Sequence, residues 1–326
     1  MKFYTAVAMA AWAAWAATAS MAAAQDATIR AAVQESGTVN WELDTIKHYG
    51  LDTENGFTLD VQGMAGGDAA QIAFQGGAVD MIVSDWIWVA RQRAAGEDFI
   101  FIPYSRAVGG MLVPEGSTAQ TLEDMKGKKV GIAGGQLDKS WIILRAYAQQ
   151  EYGFDLAAET EQVFGAPPLI MNAGTTGEVD GAINFWHFIA KMKAAGMREL
   201  ISVDTAAAAL GLDPATPLLG YVMRGDMLRD HPELVAGMAK ASIAAKAKLA
   251  SDPAAWDRLR DRMRVDDDAQ FLALQDGFNA GTPAAGAVDT AAADKMLQLM
   301  AALGGTELVG DVTSLPDGLF YTPPAE

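Results

Sequence analysis

Four short stretches combine polar, charged and aromatic side chains where an apolar run gives way to a helical pattern. Ser84-Asp85-Trp86 follows the apolar run Met81-Ile82-Val83, and Asn184-Phe185-Trp186-His187 follows Gly181-Ala182-Ile183. Thr38-Val39-Asn40-Trp41 comes after the strand-like residues 28–34. Gly135-Gln136-Leu137-Asp138-Lys139-Ser140-Trp141 comes after residues 130–133. A fifth, Gly66-Gly67-Asp68, is a turn in which Asp68 stands as an expected N-cap. Open α/β sheets bind ligands at carboxyl-terminal strand ends, and the amides at helix starts favour anionic or hydrogen-bond-accepting groups. The chemistry implied is capture of a small molecule.

Trp41, Trp86, Trp141 and Trp186 occupy equivalent strand-to-helix turns, which suggests flat, partly apolar walls for an organic ligand. The plainer reading is that each Trp staples its helix to the sheet as core. Asp85 reads equally as the N-cap of the Trp86 helix and as a ligand contact. Asn40, Gln136, Ser140 and Asn184 suit neutral hydrogen bonding. Lys139 and Arg106 are candidates for an anionic ligand group, although Lys139 also fits a solvated surface and Arg106 a crossing between lobes. The ligand-binding set expected from the sequence is therefore Thr38, Asn40, Trp41, Gly67, Asp68, Ser84, Asp85, Trp86, Gln136, Lys139, Ser140, Trp141, Asn184, Trp186 and His187.

Other chemistries fit poorly. Residues 134–140 lack the Gly that a phosphate-binding loop needs before its Lys-Ser pair; Asp138 stands there. His48, His187 and His231 are far apart and fit no metal spacing, and no Gly-x-Ser-x-Gly turn offers a hydrolytic nucleophile. The chain has no Cys, which removes disulfides, thiolate metal sites and cysteine nucleophiles. No catalytic residue, metal or cofactor is expected.

The elements that must position these residues alternate. Strands are expected at residues 28–34, 58–62, 81–83, 99–102 and 108–113, then at 130–133, 161–164, 181–183, 199–203 and 218–223, with helices between most of them. This is an α/β pattern with helices on both sheet faces. Beyond residue 223 the chain reads as helical, the last helix stopped by Gly304-Gly305. One strand followed only by helices is expected to return to the first sheet. Lobe 1 is then 25–113 plus 214–326 and lobe 2 is 114–213, two α/β lobes with a double-crossover hinge and the helical carboxyl-terminal segment packed on lobe 1.

A chain of 326 residues that is 51% hydrophobic can support two such cores. Lys plus Arg number 24 against 41 for Asp plus Glu, a net charge of −17, which opposes nucleic acid and anionic membranes. Residues 1–24 read as a signal peptide: Lys2, a short Ala-rich apolar run, and Ala22-Ala23-Ala24 before Gln25 as the cleavage site. The mature chain is expected to be exported, periplasmic and monomeric.

The segments 67–80, 122–130 (the L.D.KGK.V pattern) and 180–186 (Asp-Gly-Ala-Ile-Asn-Phe-Trp) resemble periplasmic substrate-binding proteins of the nitrate/sulfonate/taurine transporter type. This is the SsuA/TauA-like group that also contains thiamine-pyrimidine precursor binders. The resemblance covers nearly all the mature chain. It implies the bilobal periplasmic-binding-protein fold, a small solute in the interlobe cleft, an ABC permease as partner, and a sulfonate or a pyrimidine-like nitrogen heterocycle as ligand. The chain departs from the group at Ser84-Asp85-Trp86-Ile87-Trp88, where many relatives carry small residues. A carboxylate there disfavours an adjacent sulfonate and shifts the expectation toward a neutral or cationic heterocycle. The rivals are a pyrimidine synthase-like enzyme on the same fold and a ligand sensor uncoupled from a permease.

Overall fold

The computed structural model describes residues 27–284 and 286–323. The signal-peptide expectation lies outside them. Among the described residues ten strands form two five-stranded mixed sheets. The first contains β1 (Ala27–Gln34), β2 (Phe57–Met64), β3 (Met81–Asp85), β4 (Phe99–Ser105) and, from far along the chain, β10 (Leu219–Arg224). The second contains β5 (Gly110–Pro114), β6 (Lys129–Ala133), β7 (Glu161–Gly165), β8 (Gly181–Asn184) and β9 (Met197–Ser202). Strand order is β2-β1-β3-β10-β4 in one and β7-β6-β8-β5-β9 in the other. In each sheet three parallel strands are followed by one antiparallel strand, β10 or β5, that pairs on both sides. Such buried strands read as continuous apolar runs, as Met81-Ile82-Val83 does.

β10 returns to the first sheet, as expected of a lone strand before a helical tail. The first crossing lies elsewhere than expected. A lobe boundary at Val113 puts β5 in lobe 1, but β5 pairs with β8 and β9, so the chain leaves the first sheet between Ser105 and Gly110. Both sides of β5 are apolar, so periodicity could not say which sheet claims it. Gly109 shows why the passage is tight: a Cβ there would sit 1.8 Å from the Asn184 carbonyl oxygen. The chain returns through residues 210–218.

The same device anchors β1 and β6. The backbone N–H of Arg30 donates to Asp80 Oδ2 at 2.9 Å, and that of Lys129 donates to Asp180 Oδ2 at 2.9 Å. Asp80 also takes the Arg30 guanidinium, with Nη2 at 2.7 Å from Oδ1. The family-like acidic residues at 80 and 180 thus fix strand starts, away from the strand ends that could bind a ligand.

One core lies between the first sheet and the helices Val39–His48 and Pro232–Ser251. A second runs from the other face of that sheet through the helices Trp86–Ala94 and Lys139–Tyr152 into the second lobe. The carboxyl-terminal helices pack on lobe 1 and also reach lobe 2. The helix Asp268–Ala280 meets the helix Trp186–Ala194, and the helix Thr290–Val309 meets both the Trp86 and the Lys139 helices. That last helix continues past Gly304-Gly305 with a kink at Gly305 (φ 57°) rather than stopping there. The tail is not wholly helical either. Phe320 makes a parallel bridge to Phe101, with Phe101 N–H donating to Leu319 O and Tyr321 N–H to Phe101 O, both at 2.8 Å.

Candidate functional site

The strand ends of both sheets open onto one cavity of about 310 Å³, within the usual size range of small-molecule sites. Lobe 1 contributes Thr38, Gly67, Asp85 and Tyr104; lobe 2 contributes Asp138, Lys139, Ser140, Phe185, Trp186 and His187. The hinge residues Ala107, Val108 and Gly109 form part of the wall. A cavity of similar volume, about 340 Å³, lies between the Pro232 helix and the carboxyl-terminal segment. It borders no residue of the second lobe, so a ligand there could not join the two lobes.

Asp85 ends β3 and caps the Trp86 helix, accepting from Trp88 N–H at 2.8 Å. Its other oxygen is 2.8 Å from Lys139 Nζ. Both side chains are mostly buried, 14% and 24% exposed, so this is a lobe-to-lobe ion pair rather than a solvated lysine. Burial opposes the charge on Lys139, but the attraction and hydrogen bond of Asp85 outweigh it and raise the ammonium above its ordinary range. Asp138 caps the Lys139 helix by accepting from Trp141 N–H at 3.1 Å. Burial pushes its carboxyl up to about 6, against the pull of that hydrogen bond and of Lys139.

The aromatic side is built around Trp186. Its ring meets Trp41 edge-on, with centroids 6.0 Å apart at 89°. It lies against Gly277, where a Cβ would come within 2.7 Å of the ring. His187 is half-buried, its Nδ1 is buried without a partner, and desolvation followed by Lys191 pushes the imidazole down to about 4. It is neutral at pH 7. Tyr104, wholly buried, forms the floor, and burial together with Glu42 raises its phenol well above the ordinary range.

Of the fifteen residues expected from the sequence, seven line this cavity: Thr38, Gly67, Asp85, Lys139, Ser140, Trp186 and His187. Eight do not. Trp86 and Trp141 are core, 0% and 1% exposed, with Trp86 against Phe320. Trp41 is buried behind Trp186 and against Trp256. Asn40 ties its own loop, donating to the carbonyls of Gln34 (2.9 Å) and Gly37 (2.8 Å). Asn184 donates to Pro167 O at 2.9 Å and accepts from Phe185 N–H, which spends its amide on the backbone. Ser84 is buried and accepts from Gln71. Gln136 and Asp68 are exposed. Gly66, not Asp68, is the N-cap residue of the helix Gly67–Gln75; an acid two places further on sits inside the first turn, where it serves the macrodipole. Sequence reading missed Tyr104, Phe185 and Asp138 as wall residues. For Asp138 a signal existed, since an Asp three residues before Trp141 in a loop-to-helix turn is a cap pattern.

Among the described residues no group of three or more His, Cys, Asp or Glu could hold a metal, and no helix is long and apolar enough to cross a membrane.

The NMT1/THI5-like family model matches residues 47–255. No curated protein matches the chain in sequence. Among solved structures, the fold is similar to the periplasmic aliphatic sulphonate-binding protein SsuA of Escherichia coli, with TM-score 0.69 and 19% identity over 90% of this chain and 96% of that one. It is also similar to the alkanesulfonate-binding protein SsuA of Xanthomonas axonopodis pv. citri bound to MOPS (0.68, 17%, 90% and 98%). A putative sulfonate ABC transporter's periplasmic sulfonate-binding protein from Methylobacillus flagellatus KT gives 0.65, 15%, 91% and 92%. At these identities the likeness establishes the bilobal periplasmic-binding-protein fold.

Proposed function

We propose that this chain, which belongs to the NMT1/THI5-like family, is a solute-binding protein that closes its two lobes over a small organic molecule. The observation that carries this is the cavity at the joint strand ends, walled from both sheets and crossed by the Asp85–Lys139 pair. A ligand that touches both lobes stabilises the closed arrangement over any open one. Residues 106–109 and 210–218, the two passages between sheets, are the hinge elements. The ligand-binding set is Thr38, Asp85, Asp138, Lys139, Ser140, Trp186 and His187, with Tyr104 and Phe185.

The wall carries two carboxylates against one ammonium, beside aromatic faces. That balance suits a neutral or cationic nitrogen heterocycle or aromatic amine better than a lone sulfonate, even though the SsuA relatives are sulfonate binders by description. The protein acts in the periplasm as the capture component of an ABC importer and hands its solute to a membrane permease. It is not an enzyme on this reading. The chain has no Cys, and His187 has no carboxylate partner to orient it as a base.

A thermal-shift screen tests the proposal, because a ligand bound only by the folded state raises the melting temperature by mass action. Pyrimidine-like heterocycles and aromatic amines are expected to raise it, and the rise to vanish in Asp85→Asn. A shift with alkanesulfonates and none with heterocycles would refute the ligand class. A solute consumed on incubation would refute the binding-only reading.

A further inference from the structure

We infer that the cleft has a second, anion-accepting compartment continuous with the Asp85 cavity, so that the solute it suits is charge-separated, with a hydrogen-bond-donating or cationic end and an anionic end. The inference rests on the ligand class proposed above for the first cavity and extends it. The second compartment, about 630 Å³, shares Gly37 and His187 with the first. It is likewise walled from both lobes, by the start of the Val39 helix on one side and by Pro168, Phe188 and Lys191 on the other.

Its charge balance is opposite to that of its surroundings. In a chain of net charge −17, the compartment is lined by Lys191, Arg258, Arg262 and Arg264 against Glu35, Asp44 and Asp261. Asp44 serves two guanidiniums at once, pairing with Arg258 and, at 3.0 Å, with Arg262. One carboxylate cannot neutralise both. Lys191 spends its ammonium on a neutral acceptor, the Arg264 carbonyl at 2.8 Å. Neither Lys191 nor Arg264 has an ion-pair partner among the described residues.

Two residues of the wall each carry a buried polar atom with no partner. Arg258 uses Nη1 on Asp44 and Nη2 on the Thr45 hydroxyl at 2.6 Å, but its Nε–H is buried with no acceptor. His187 Nδ1 is also buried without a partner. Both residues line this compartment. A buried donor left unsatisfied costs free energy unless something else bonds it, and a guanidinium N–H is best met by an anionic oxygen. The anionic group placed here is a carboxylate or another oxyanion, with His187 between it and the aromatic face of Trp186.

Isothermal titration of the intact chain at pH 7 with benzylamine, benzoate and 4-(aminomethyl)benzoate tests the two ends separately. The bifunctional probe is expected to bind at least tenfold more tightly than either single-ended one. Arg258→Gln and Lys191→Met are each expected to remove benzoate binding and the tenfold advantage while leaving benzylamine affinity unchanged. Lys191→Met leaves the Asp44 pairs intact and so controls for damage to the fold. If benzylamine binds but the carboxylate adds nothing, or if its advantage survives both substitutions, the second compartment is refuted and the first reading stands. If benzoate binds and is lost in both variants while benzylamine fails to bind, the compartment stands and the proposed cationic end falls. If no probe binds, both are refuted.

Discussion

Replacing Asp85 by Asn separates its two duties. An Asn side chain keeps an oxygen for the Trp88 N–H, now 2.8 Å away, so the helix cap survives. What is lost is the charge facing Lys139 Nζ at 2.8 Å. With an effective dielectric of about 20 the gross attraction at that distance is roughly 6 kcal/mol. Most of it is offset by desolvation of the two ions. Exposed pairs are worth at most about 1 kcal/mol, and breaking a fully buried pair costs about 3–5 kcal/mol because a bare charge remains. With side chains 14% and 24% exposed, this pair falls between, and Asp85→Asn should destabilise by about 2 kcal/mol. For a chain of this size that lowers the midpoint by roughly 4 °C. Lys139→Met should cost a similar amount, but the double variant should cost less than the sum, with a coupling of about 1–2 kcal/mol. Urea unfolding of the four proteins, followed by tryptophan fluorescence, supplies the cycle. Additivity within about 0.5 kcal/mol would refute the lobe-to-lobe pair.

Other outcomes follow from the same geometry. Asp138 has a native pKa of about 6 against about 3.9 in an unfolded chain. Between those values the native state holds more protons, so stability falls as pH rises from about 4 to about 6, by up to roughly 3 kcal/mol; Asp138→Asn should flatten the unfolding free energy across that window, and an unchanged slope would contradict the assignment. Trp86→Ala, which empties a wholly buried site, should cost about 3–5 kcal/mol, whereas Trp186→Ala should cost less stability and weaken aromatic-ligand binding at least tenfold, read by titration calorimetry. Gly109→Ala forces a Cβ against the Asn184 carbonyl and should destabilise by about 3 kcal/mol, measured by thermal unfolding; a smaller loss would mean that β5 can shift. Glu42→Gln leaves the buried Lys246 ammonium, otherwise paired with Glu42, without its counter-charge, and should cost about 3 kcal/mol, most of it recovered in the double variant with Lys246→Met.

Alternation of apolar runs and helical stretches was enough to place all ten strands and to send β10 back to the first sheet. The sheet that claims β5 was not legible, because a strand buried on both faces carries no record of its neighbours. The site was legible as a set of loops but not as a set of side chains. Trp86, Trp141, Trp41 and Trp186 hold similar positions in sequence, yet only Trp186 lines the Asp85 cavity, and Trp41 borders the second compartment instead. The partners that bury the others, such as Phe320 against Trp86 and Trp256 against Trp41, come from some 215–235 residues away. Asn40 and Asn184 illustrate the same limit, since a side-chain amide that could hold a ligand holds a loop instead.

The two sheets share one strand order but are assembled from the chain differently. All five strands of the second come from the continuous segment between Gly110 and Ser202. In the first, among the described residues β4 pairs only with β10 and with the bridge at Phe320, both made later. When the chain emerges from its amino terminus, β4 is therefore finished more than a hundred residues before it has an edge to join. Non-local pairing of this kind is slow and leaves strand edges exposed. The second lobe can fold as soon as its segment is free, whereas the first must wait for it, and a refolding experiment should show two phases with the slower reporting Trp86 and Trp88 beside β4.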